Sequence, residues 1–398
     1  MTVPTLQLTA IQVLGVACFG LLIGAGLKRV FPVLARLSIP GSVLGGLVYA
    51  VAVLCLRDRV VNLKFDLVLR DVLMIAFFTT VGMSASLRLL KLGGRRVAYF
   101  LGASVLGLLA QIGWGAAAAK AFGLPALFGV VPGAVSLTGG PATALAFGPV
   151  FEQAGVVGAT AVGLASAVFG IVVSGLLGGF VGGYLIRKHG LKPEPSDRLA
   201  APKLNVDAGP HEKHGGYLEH ILAIGISMAL GSLLSAGFKA WGLTLPAYIG
   251  AMIVAGVIRN LDDWLQFAGI DQGKMESIGE VALELFIVMA LLTLELWHLT
   301  ALALPVLVIL IGQVVLTVGL CWTVLFWMMG RSYTSAVMAG GYCGFMLGTT
   351  ANSMACMQEI TKKTGPAPQA FFAVGIVGAF LIDFINALLI TQTLNVLR

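Results

Sequence analysis

The feature that most constrains this chain is a series of long stretches with few charged side chains, each close to the length that crosses a membrane. A helix that spans the hydrocarbon core needs about 20 predominantly apolar residues. Of the 398 residues, 58% are hydrophobic and 11% are charged, whereas soluble domains carry about 25% charged residues. We therefore predict an all-α polytopic membrane protein with ten spanning helices, at 6–28, 40–57, 71–90, 97–121, 156–186, 217–240, 245–261, 277–298, 301–329 and 366–394.

Two further segments are apolar but do not fit a simple span. Residues 125–155 contain GGPATALAF at 139–147, and residues 333–363 contain LGTTANSM at 347–354. Glycine and proline weaken a lipid-facing helix, because glycine leaves the backbone unrestricted and proline lacks an N–H. Non-helical backbone at membrane depth is tolerated only where protein or a water-filled cavity satisfies its hydrogen bonds. We therefore predict two re-entrant hairpins, at 125–155 and 333–363.

The basic residues predict the orientation of the chain. With the N-terminus outside, 18 of the 25 Lys and Arg residues fall on the cytoplasmic side. The polar, proline-rich segment 187–216 is the predicted cytoplasmic linker. The positive-inside rule then puts both termini outside. This loop bias explains the net charge of +7, so we expect no nucleic-acid partner.

The two halves of the chain resemble each other at a nearly constant offset. IPGSVLGGL at 39–47 aligns with LPAYIGAMI at 245–253, and GGPATA at 139–144 aligns with MLGTTA at 346–351. Five helices in each half is an odd number, so the second half enters the membrane from the opposite side. We therefore predict two inverted-topology repeats, an architecture typical of secondary transporters. The first repeat is residues 1–186, and the second, after the 187–216 linker, is residues 217–398.

Corresponding breaks in two inverted repeats indicate one central site between them. Half-helix N-termini offer N–H donors to an anion, and hydroxyls and freed carbonyls suit Na+. The alternative is that these small residues only allow close helix packing, but two breaks in register favour a site. The candidate substrate-binding residues are Ser136, Thr138, Gly139, Gly140, Thr143, Gly348, Thr349, Thr350 and Asn352.

Polar side chains inside spans give a second indication. Asp383 lies mid-helix, with Asn386 three residues on and so on the same face. An intramembrane carboxylate is costly, so we interpret this pair as Na+ ligands or a proton site, with pairing to another polar group as the alternative. Glu284 lies one to two turns into its helix and could snorkel or pair with another polar group, with a functional role as the alternative. Gln111 and Gln313, each in the fourth helix of its repeat, are predicted interhelical hydrogen-bonders.

Several motifs closely resemble those of the bacterial sodium/glutamate symporter family. They are RDVLMIAFFTTVGMSASL at 70–87, LTGGPATALAFGPVFEQAG at 137–155, CGFMLGTTANSMACMQEIT at 343–361 and VGAFLIDFINALLI at 377–390. The resemblance covers nearly the whole chain. It implies a bacterial inner-membrane homodimer, surrounded by lipids, that takes up L-glutamate with Na+ as the coupling ion. It implies neither an enzyme nor a cofactor.

The chain departs from the family pattern at both breaks. Pro141 and Ala142 stand where the family usually has His and Gly, and Met346 and Ala351 replace a Gly and a Pro. A symporter of the same fold for another small carboxylate, or one coupled to protons, is therefore an alternative. An intramembrane hydrolase is disfavoured, because Asp383 has only Glu284 as a deep acidic partner. A channel is disfavoured because no ring of pore-lining charges accompanies the repeat.

Overall fold

Helices form most of the part of the chain that the structure describes. The structure is a computed structural model, and it describes residues 3–36, 39–193, 216–240, 246–265, 269–294 and 299–397. In the first half, a π-helical turn at Val131–Thr138 joins the sixth and seventh helices. The helices there are α1 (Ala10–Val30), α2 (Pro32–Arg36), α3 (Gly41–Leu56), α4 (Val68–Met83), α5 (Leu87–Ala121), α6 (Ala126–Val130), α7 (Gly140–Gln153) and α8 (Ala159–His189).

The second half contains two more π-helical turns, at Cys321–Leu325 and Val377–Leu381. Its helices are α9 (Tyr217–Ala240), α10 (Ala247–Leu265), α11 (Gln272–Leu291), α12 (Leu299–Leu320), α13 (Phe326–Met328), α14 (Tyr333–Leu347), α15 (Thr350–Thr364), α16 (Pro368–Ile376) and α17 (Ile382–Leu397). Most of the predicted linker, residues 194–215, lies outside the described residues.

The first predicted span begins later than its sequence suggested, because its first residues form a strand. Strand β1 (Thr5–Leu8) pairs in parallel with β2 (Asn62–Phe65). Thr9 then begins α1 through a capping box, in which its backbone N–H donates to Gln12 Oε1 at 2.9 Å. This ladder fixes the start of α1 beside the connection between α3 and α4.

Several helices are long and apolar enough to cross a membrane, as judged by length and composition. Among the described residues they are Ala10–Val30, Gly94–Ala121, Ala159–His189, Tyr217–Ala240 and Leu302–Met328. Other predicted spans are shorter or interrupted. The span 71–90 ends as a helix at Met83, and the span 366–394 is divided by the π-helical turn that precedes Ile382. The chain is therefore a multi-pass membrane protein of mostly helical structure.

Six helices, α1, α3, α4, α9, α10 and α11, pack on one another and are here called the flanking bundle. Small residues allow their backbones to approach closely. A Cβ atom at Gly45 of α3 would lie 1.8 Å from the carbonyl oxygen of Gly20 in α1. A Cβ at Gly82 of α4 would likewise lie 2.2 Å from the carbonyl oxygen of Met252 in α10. Larger residues at these two glycines would force the helices apart.

The helices α5–α8 and α12–α17 form a second group, here called the hairpin bundle because it contains both predicted hairpins. In its centre, a Cβ atom at Gly170 of α8 would lie 2.1 Å from the carbonyl oxygen of Leu347, the last residue of α14. The two bundles contact each other more sparsely than their helices contact within each bundle. One such contact is the edge-on packing of Phe147 in α7 against Tyr248 in α10, with ring centroids 5.2 Å apart.

Candidate functional site

The first break in helical structure lies between α6 and α7. Pro132 (φ −78°, ψ 24°) and Gly133 (φ −126°, ψ −117°) leave the helical region inside the π-helical turn. Gly140 has φ +66°, a conformation that favours glycine. Pro141 follows in the first turn of α7, where its missing N–H removes no intrahelical bond. The sequence GGP therefore ends one helical segment and begins another at buried positions.

The second break lies between α14 and α15. Gly348 (φ −148°, ψ −117°) ends α14, and Thr349 (φ −130°, ψ 165°) is the N-cap of α15. The Thr349 hydroxyl oxygen accepts a hydrogen bond from the Asn352 N–H at 3.4 Å. Thr350 and Ala351 lie between Thr349 and Asn352, in the first turn of α15. Their N–H groups have no acceptor within the helix, as is general for the first turn of a helix. Hydrogen-bond donors are therefore available at this break.

The two breaks contact each other although about two hundred residues separate them. The Thr138 hydroxyl of the first break lies 3.2 Å from the carbonyl oxygen of Met346, just before the second. A Cβ atom at Gly140 would lie 3.9 Å from Thr349 Cγ2, so the backbone of one break faces the side chain of the other. Thr138, Gly140 and Thr349, which the sequence proposed for one site, are therefore close together.

A buried glutamine joins the two breaks. Gln111 of α5 donates from Nε2 to the carbonyl oxygen of Met346 at 2.8 Å, and its Oε1 accepts from the Thr138 hydroxyl at 2.8 Å. Gln313 of α12 donates from Nε2 to the backbone carbonyl of Gln111 at 2.8 Å. The prediction that both glutamines bond between helices is confirmed. The sequence did not show that Gln111 bonds to both breaks at once.

The amide of Asn352 holds the second break against α8. Its Nδ2 donates to the carbonyl oxygen of Ile171 at 2.6 Å and to the Ser174 hydroxyl at 2.7 Å. Gly348 packs on the same serine, since a Cβ there would lie 2.2 Å from Ser174 Oγ. Ser174 was missed in the sequence, because a serine in a long apolar helix carries no local signal of its partner. Asn352 therefore positions the break through its side chain.

The hydroxyl groups of the remaining candidate residues differ in whether they form hydrogen bonds within the protein. The Ser136 hydroxyl donates to the carbonyl oxygen of Val131 at 2.6 Å, and the Thr350 hydroxyl donates to that of Gly378 at 2.6 Å. Thr143 is 6% exposed and makes no hydrogen bond to a described residue. Gly139 packs closely against Thr143, because a Cβ atom at Gly139 would lie 2.5 Å from Thr143 Cβ. Among these hydroxyls, that of Thr143 is available to a ligand.

One residue of the polar pair in α17, Asn386, contacts the first break. Asn386 donates from Nδ2 to the carbonyl oxygen of Ala134 at 2.9 Å, which leaves its buried Oδ1 without a hydrogen bond to any described residue. Asp383 is half-buried and forms no hydrogen bond or ion pair with the described residues. Oxygen atoms of this kind suit a hard cation such as Na+.

Glu284 lies apart from the breaks, in the flanking bundle. Its Oε2 accepts a hydrogen bond from the backbone N–H of Ser42 at 3.3 Å, in the first turn of α3. A carboxylate near the start of a helix is stabilised by the free N–H groups and the helix dipole there. Of the alternatives that the sequence left open for Glu284, pairing within its bundle is therefore the one observed.

Comparison with known proteins gives a consistent result. A family model described as sodium/glutamate symporter matches residues 6–366. The sodium/glutamate symporter of Escherichia coli (strain K12) is 37% identical over 389 residues, which cover 96% of this chain and 97% of that protein. That of Haemophilus influenzae is 32% identical over 394 residues, covering 97% of each. Among solved structures, the sodium proton antiporter MjNhaP1 from Methanocaldococcus jannaschii aligns over 97% of this chain and 98% of that one, with 16% identity and a TM-score of 0.43.

Proposed function

Because the chain belongs to the sodium/glutamate symporter family, we propose that it couples Na+ entry to the uptake of L-glutamate by alternating access. A symporter is a transporter and not an enzyme, and Na+ is its coupling ion rather than a catalytic cofactor. The observation that carries the proposal is the contact between the two breaks, where Thr138 lies 3.2 Å from the carbonyl oxygen of Met346. This contact brings together the non-helical backbone of the two breaks, which lie in distant parts of the chain.

The proposed architecture is a pair of inverted repeats, residues 1–186 and 217–398, joined by the 187–216 linker. Each bundle contains helices from both halves of the chain, in corresponding positions, and this supports the proposed repeat. The flanking bundle pairs α1, α3 and α4 with α9, α10 and α11. In the hairpin bundle, the proposed re-entrant hairpins are residues 125–155 and 333–363, and Gln111 and Gln313 occupy corresponding helices.

We propose that the protein lies in the bacterial inner membrane with both termini in the periplasm, as the distribution of basic residues predicts. A cavity of about 220 Å³ then opens toward the periplasm between the bundles. Arg70 and Ala290 line it from the flanking bundle, and Glu152 and Thr160 line it from the hairpin bundle. A cleft between two sparsely contacting bundles can open and close, which is what alternating access requires.

The proposed substrate site is built from both breaks. Free N–H groups in the first turns of α7 and α15 would bind the substrate carboxylates. Gly139, Gly140 and Gly348 would allow close approach to the backbone, and Thr143 would donate its hydroxyl. The other proposed residues, Ser136, Thr138, Thr349, Thr350 and Asn352, hold these groups in place through the hydrogen bonds described above.

The proposed Na+ ligands are the Asp383 carboxylate and the Asn386 Oδ1 atom. Asn386 contacts the first break, Asp383 lies one turn before that residue in α17, and neither the Asn386 Oδ1 atom nor the Asp383 carboxylate is bonded to a described residue. The bond from Asn386 to Ala134 would couple ion binding to the position of the first hairpin. Dependence of substrate affinity on Na+ follows from this coupling.

We also propose a homodimer surrounded by lipid, as the family resemblance implies. Large apolar side chains on the outer faces of two helices support contact with lipid or a second copy. Phe19 and Leu22 of α1 are 66% and 67% exposed, and Leu233 of α9 is 69% exposed.

The proposal is tested with purified protein in proteoliposomes. An inward Na+ gradient should drive glutamate accumulation, and Asp383→Asn should raise the Na+ concentration needed for half-maximal uptake, because a hard anionic ligand is lost. Aspartate and a dicarboxylate without an amino group should compete less well. Asp58→Asn is the matched control, since Asp58 is an exposed carboxylate in the connection between α3 and β2.

Two results would contradict the proposal. Accumulation driven by a proton gradient and indifferent to Na+ would favour the proton-coupled alternative. Preferred accumulation of the dicarboxylate would favour a symporter for another small carboxylate.

A further inference from the structure

Two buried oxygen atoms on α12 have no hydrogen-bond partner among the described residues. Gln313 Oε1 and Thr317 Oγ1 make no hydrogen bond to any described residue. Gln313 is 0% exposed and Thr317 is 1% exposed, so bulk solvent does not reach them. Residues four apart lie on the same face of a helix, one turn from each other. Most buried polar atoms in proteins are hydrogen-bonded, so two exceptions on one face indicate a missing ligand.

The hydrogen bond made by the Nε2 atom of Gln313 fixes the orientation of its side-chain amide. Nε2 donates to the backbone carbonyl oxygen of Gln111 at 2.8 Å. A flipped amide would bring Oε1 against that carbonyl oxygen, and two acceptors do not bond. The unpartnered atom of Gln313 is therefore an acceptor, and a ligand at this position must be a cation or a hydrogen-bond donor.

The face of α12 that carries these oxygens lies against the first break. A Cβ atom at Gly133 would lie 2.7 Å from Gln313 Nε2, so the amide contacts the backbone of that residue. Pro132 and Gly133 have non-helical dihedral angles, which interrupt the regular bonding of carbonyl oxygens around them. Unwound backbone carbonyls at such breaks supply oxygen ligands for Na+ in transporters of this general architecture. The Gln313 amide therefore lies beside the unwound backbone at Gly133, and Thr317 lies one helical turn further along the same face of α12.

This location differs from that of Asp383 and Asn386. Asn386 of α17 reaches the turn through the carbonyl oxygen of Ala134, whereas Gln313 of α12 reaches it beside Gly133. Helices α12 and α17 both pack on α5 and the turn, but they do not pack extensively on each other. The two groups of oxygens therefore approach the first break from different helices.

We propose that Gln313 Oε1 and Thr317 Oγ1 are ligands of a second Na+ ion, bound beside the first break and separate from the ion at Asp383 and Asn386. An amide oxygen and a hydroxyl carry no formal charge, so the site suits a monovalent cation better than a divalent one, which favours carboxylates. The identity of the cation as Na+ rests on the proposed function. Binding of this ion would fix the turn at Gly133 and, through Gln111, the contact between the breaks.

The test is Thr317→Val, which removes the oxygen and nearly preserves volume. In proteoliposomes we expect the Na+ concentration for half-maximal uptake to rise by about 10-fold or more, as for other losses at metal sites. The Hill coefficient for Na+ should fall toward one, and the KM for glutamate at saturating Na+ should stay within about twofold of the original. Na+ should also protect the purified variant less against thermal unfolding, in the absence of glutamate, because less binding energy is linked to folding.

Two controls accompany it. Thr317→Ser keeps the hydroxyl and should restore the Na+ response. Thr391→Val removes a hydroxyl that is also buried but already donates to the carbonyl oxygen of Ala387 at 2.8 Å, so it should leave the response to Na+ unchanged. Thr317→Ala removes the same oxygen with a smaller side chain and serves if the valine variant does not fold.

An unchanged Na+ response in both the valine and the alanine variants, alongside Na+-driven uptake by the unmodified protein, would overturn the second site and leave buried water as the partner of the two oxygens. Uptake by the unmodified protein that does not depend on Na+ would instead overturn the proposed function.

Discussion

At the scale of single residues, hydroxyl groups that look alike in the sequence have different roles in the structure. Ser136, Thr138 and Thr350 donate to atoms of the protein, so their hydroxyls hold the breaks in shape. Thr143 makes no such bond to any residue that the structure describes. The sequence could identify the segments that carry these residues, because glycine and proline interrupt apolar runs. It could not sort them, because their bonding partners lie on other helices.

This difference predicts unequal effects of two matched substitutions. Thr143→Val should lower glutamate affinity by about 1–3 kcal/mol, or about 5- to 150-fold, with little change in melting temperature, because the proposed bond of this hydroxyl is made only to the ligand. Thr350→Val should lower the melting temperature, because the carbonyl oxygen of Gly378 loses its donor. Equilibrium binding and thermal unfolding of both purified variants check this. Equal loss of stability in the two would show that the Thr143 hydroxyl is structural.

At the scale of elements, the two hairpin segments depend on a helix that belongs to neither. Gln111 of α5 bonds to Thr138 on one side and to Met346 on the other. The positions of the breaks could be predicted from GGPAT and LGTT, since those residues weaken helices wherever they occur. Their contact could not, because apolar periodicity does not show which faces of distant helices meet. The strand pair was missed because each strand has only four residues.

Loss of this connection should impair transport even though no ligand-binding group is removed. Gln111→Leu removes the 2.8 Å donor of the Met346 carbonyl and the 2.8 Å acceptor of Thr138, and leaves these two groups only their longer 3.2 Å bond to each other, at a cost of about 1–3 kcal/mol. We expect slower uptake, a lower melting temperature and weaker glutamate binding together. Ser104→Ala is the control on the same helix, because the Ser104 hydroxyl bonds within α5, to the carbonyl oxygen of Phe100 at 2.8 Å. Normal uptake by Gln111→Leu would mean that the breaks stay in contact without it.

At the scale of the whole molecule, the chain forms two bundles that each combine helices from both halves. Hydropathy could predict the helices, and weak internal similarity could suggest the repeat. The division into two bundles could not be predicted. The sequence does not show that α5 packs with α12 in the hairpin bundle, whereas α4, which precedes it, packs in the flanking bundle. The close glycine contacts, such as Gly45 on Gly20, explain the many glycines only once the neighbours are known.

The orientation of the molecule is tested by labelling single cysteines. Native cysteines are first replaced, because Cys18 and Cys55 are exposed. Ala200→Cys in the linker should be protected from an impermeant thiol reagent in spheroplasts, and Leu397→Cys, at a position 41% exposed, should be labelled. Permeabilised spheroplasts are the control, in which both should react. The reverse pattern would mean that the basic loops face the periplasm.

The π-helical turn at Val377–Leu381 has a consequence for Asp383 and Asn386, the proposed Na+ ligands that follow it. Such a turn carries one residue more than the same length of α-helix, and each residue advances the helical phase by about 100°. The azimuth of Asp383 and Asn386 is therefore set by a single extra residue upstream. Were Val377–Leu381 to form regular α-helix with the same number of residues, α17 would keep its length and apolar character while Ile382 and Ile385 took the directions in which Asp383 and Asn386 now point. A one-residue deletion that returned this turn to α-helix would thus leave Asp383 and Asn386 on the same face, whereas loss of the π-helical turn without a deletion would rotate both residues by about 100°.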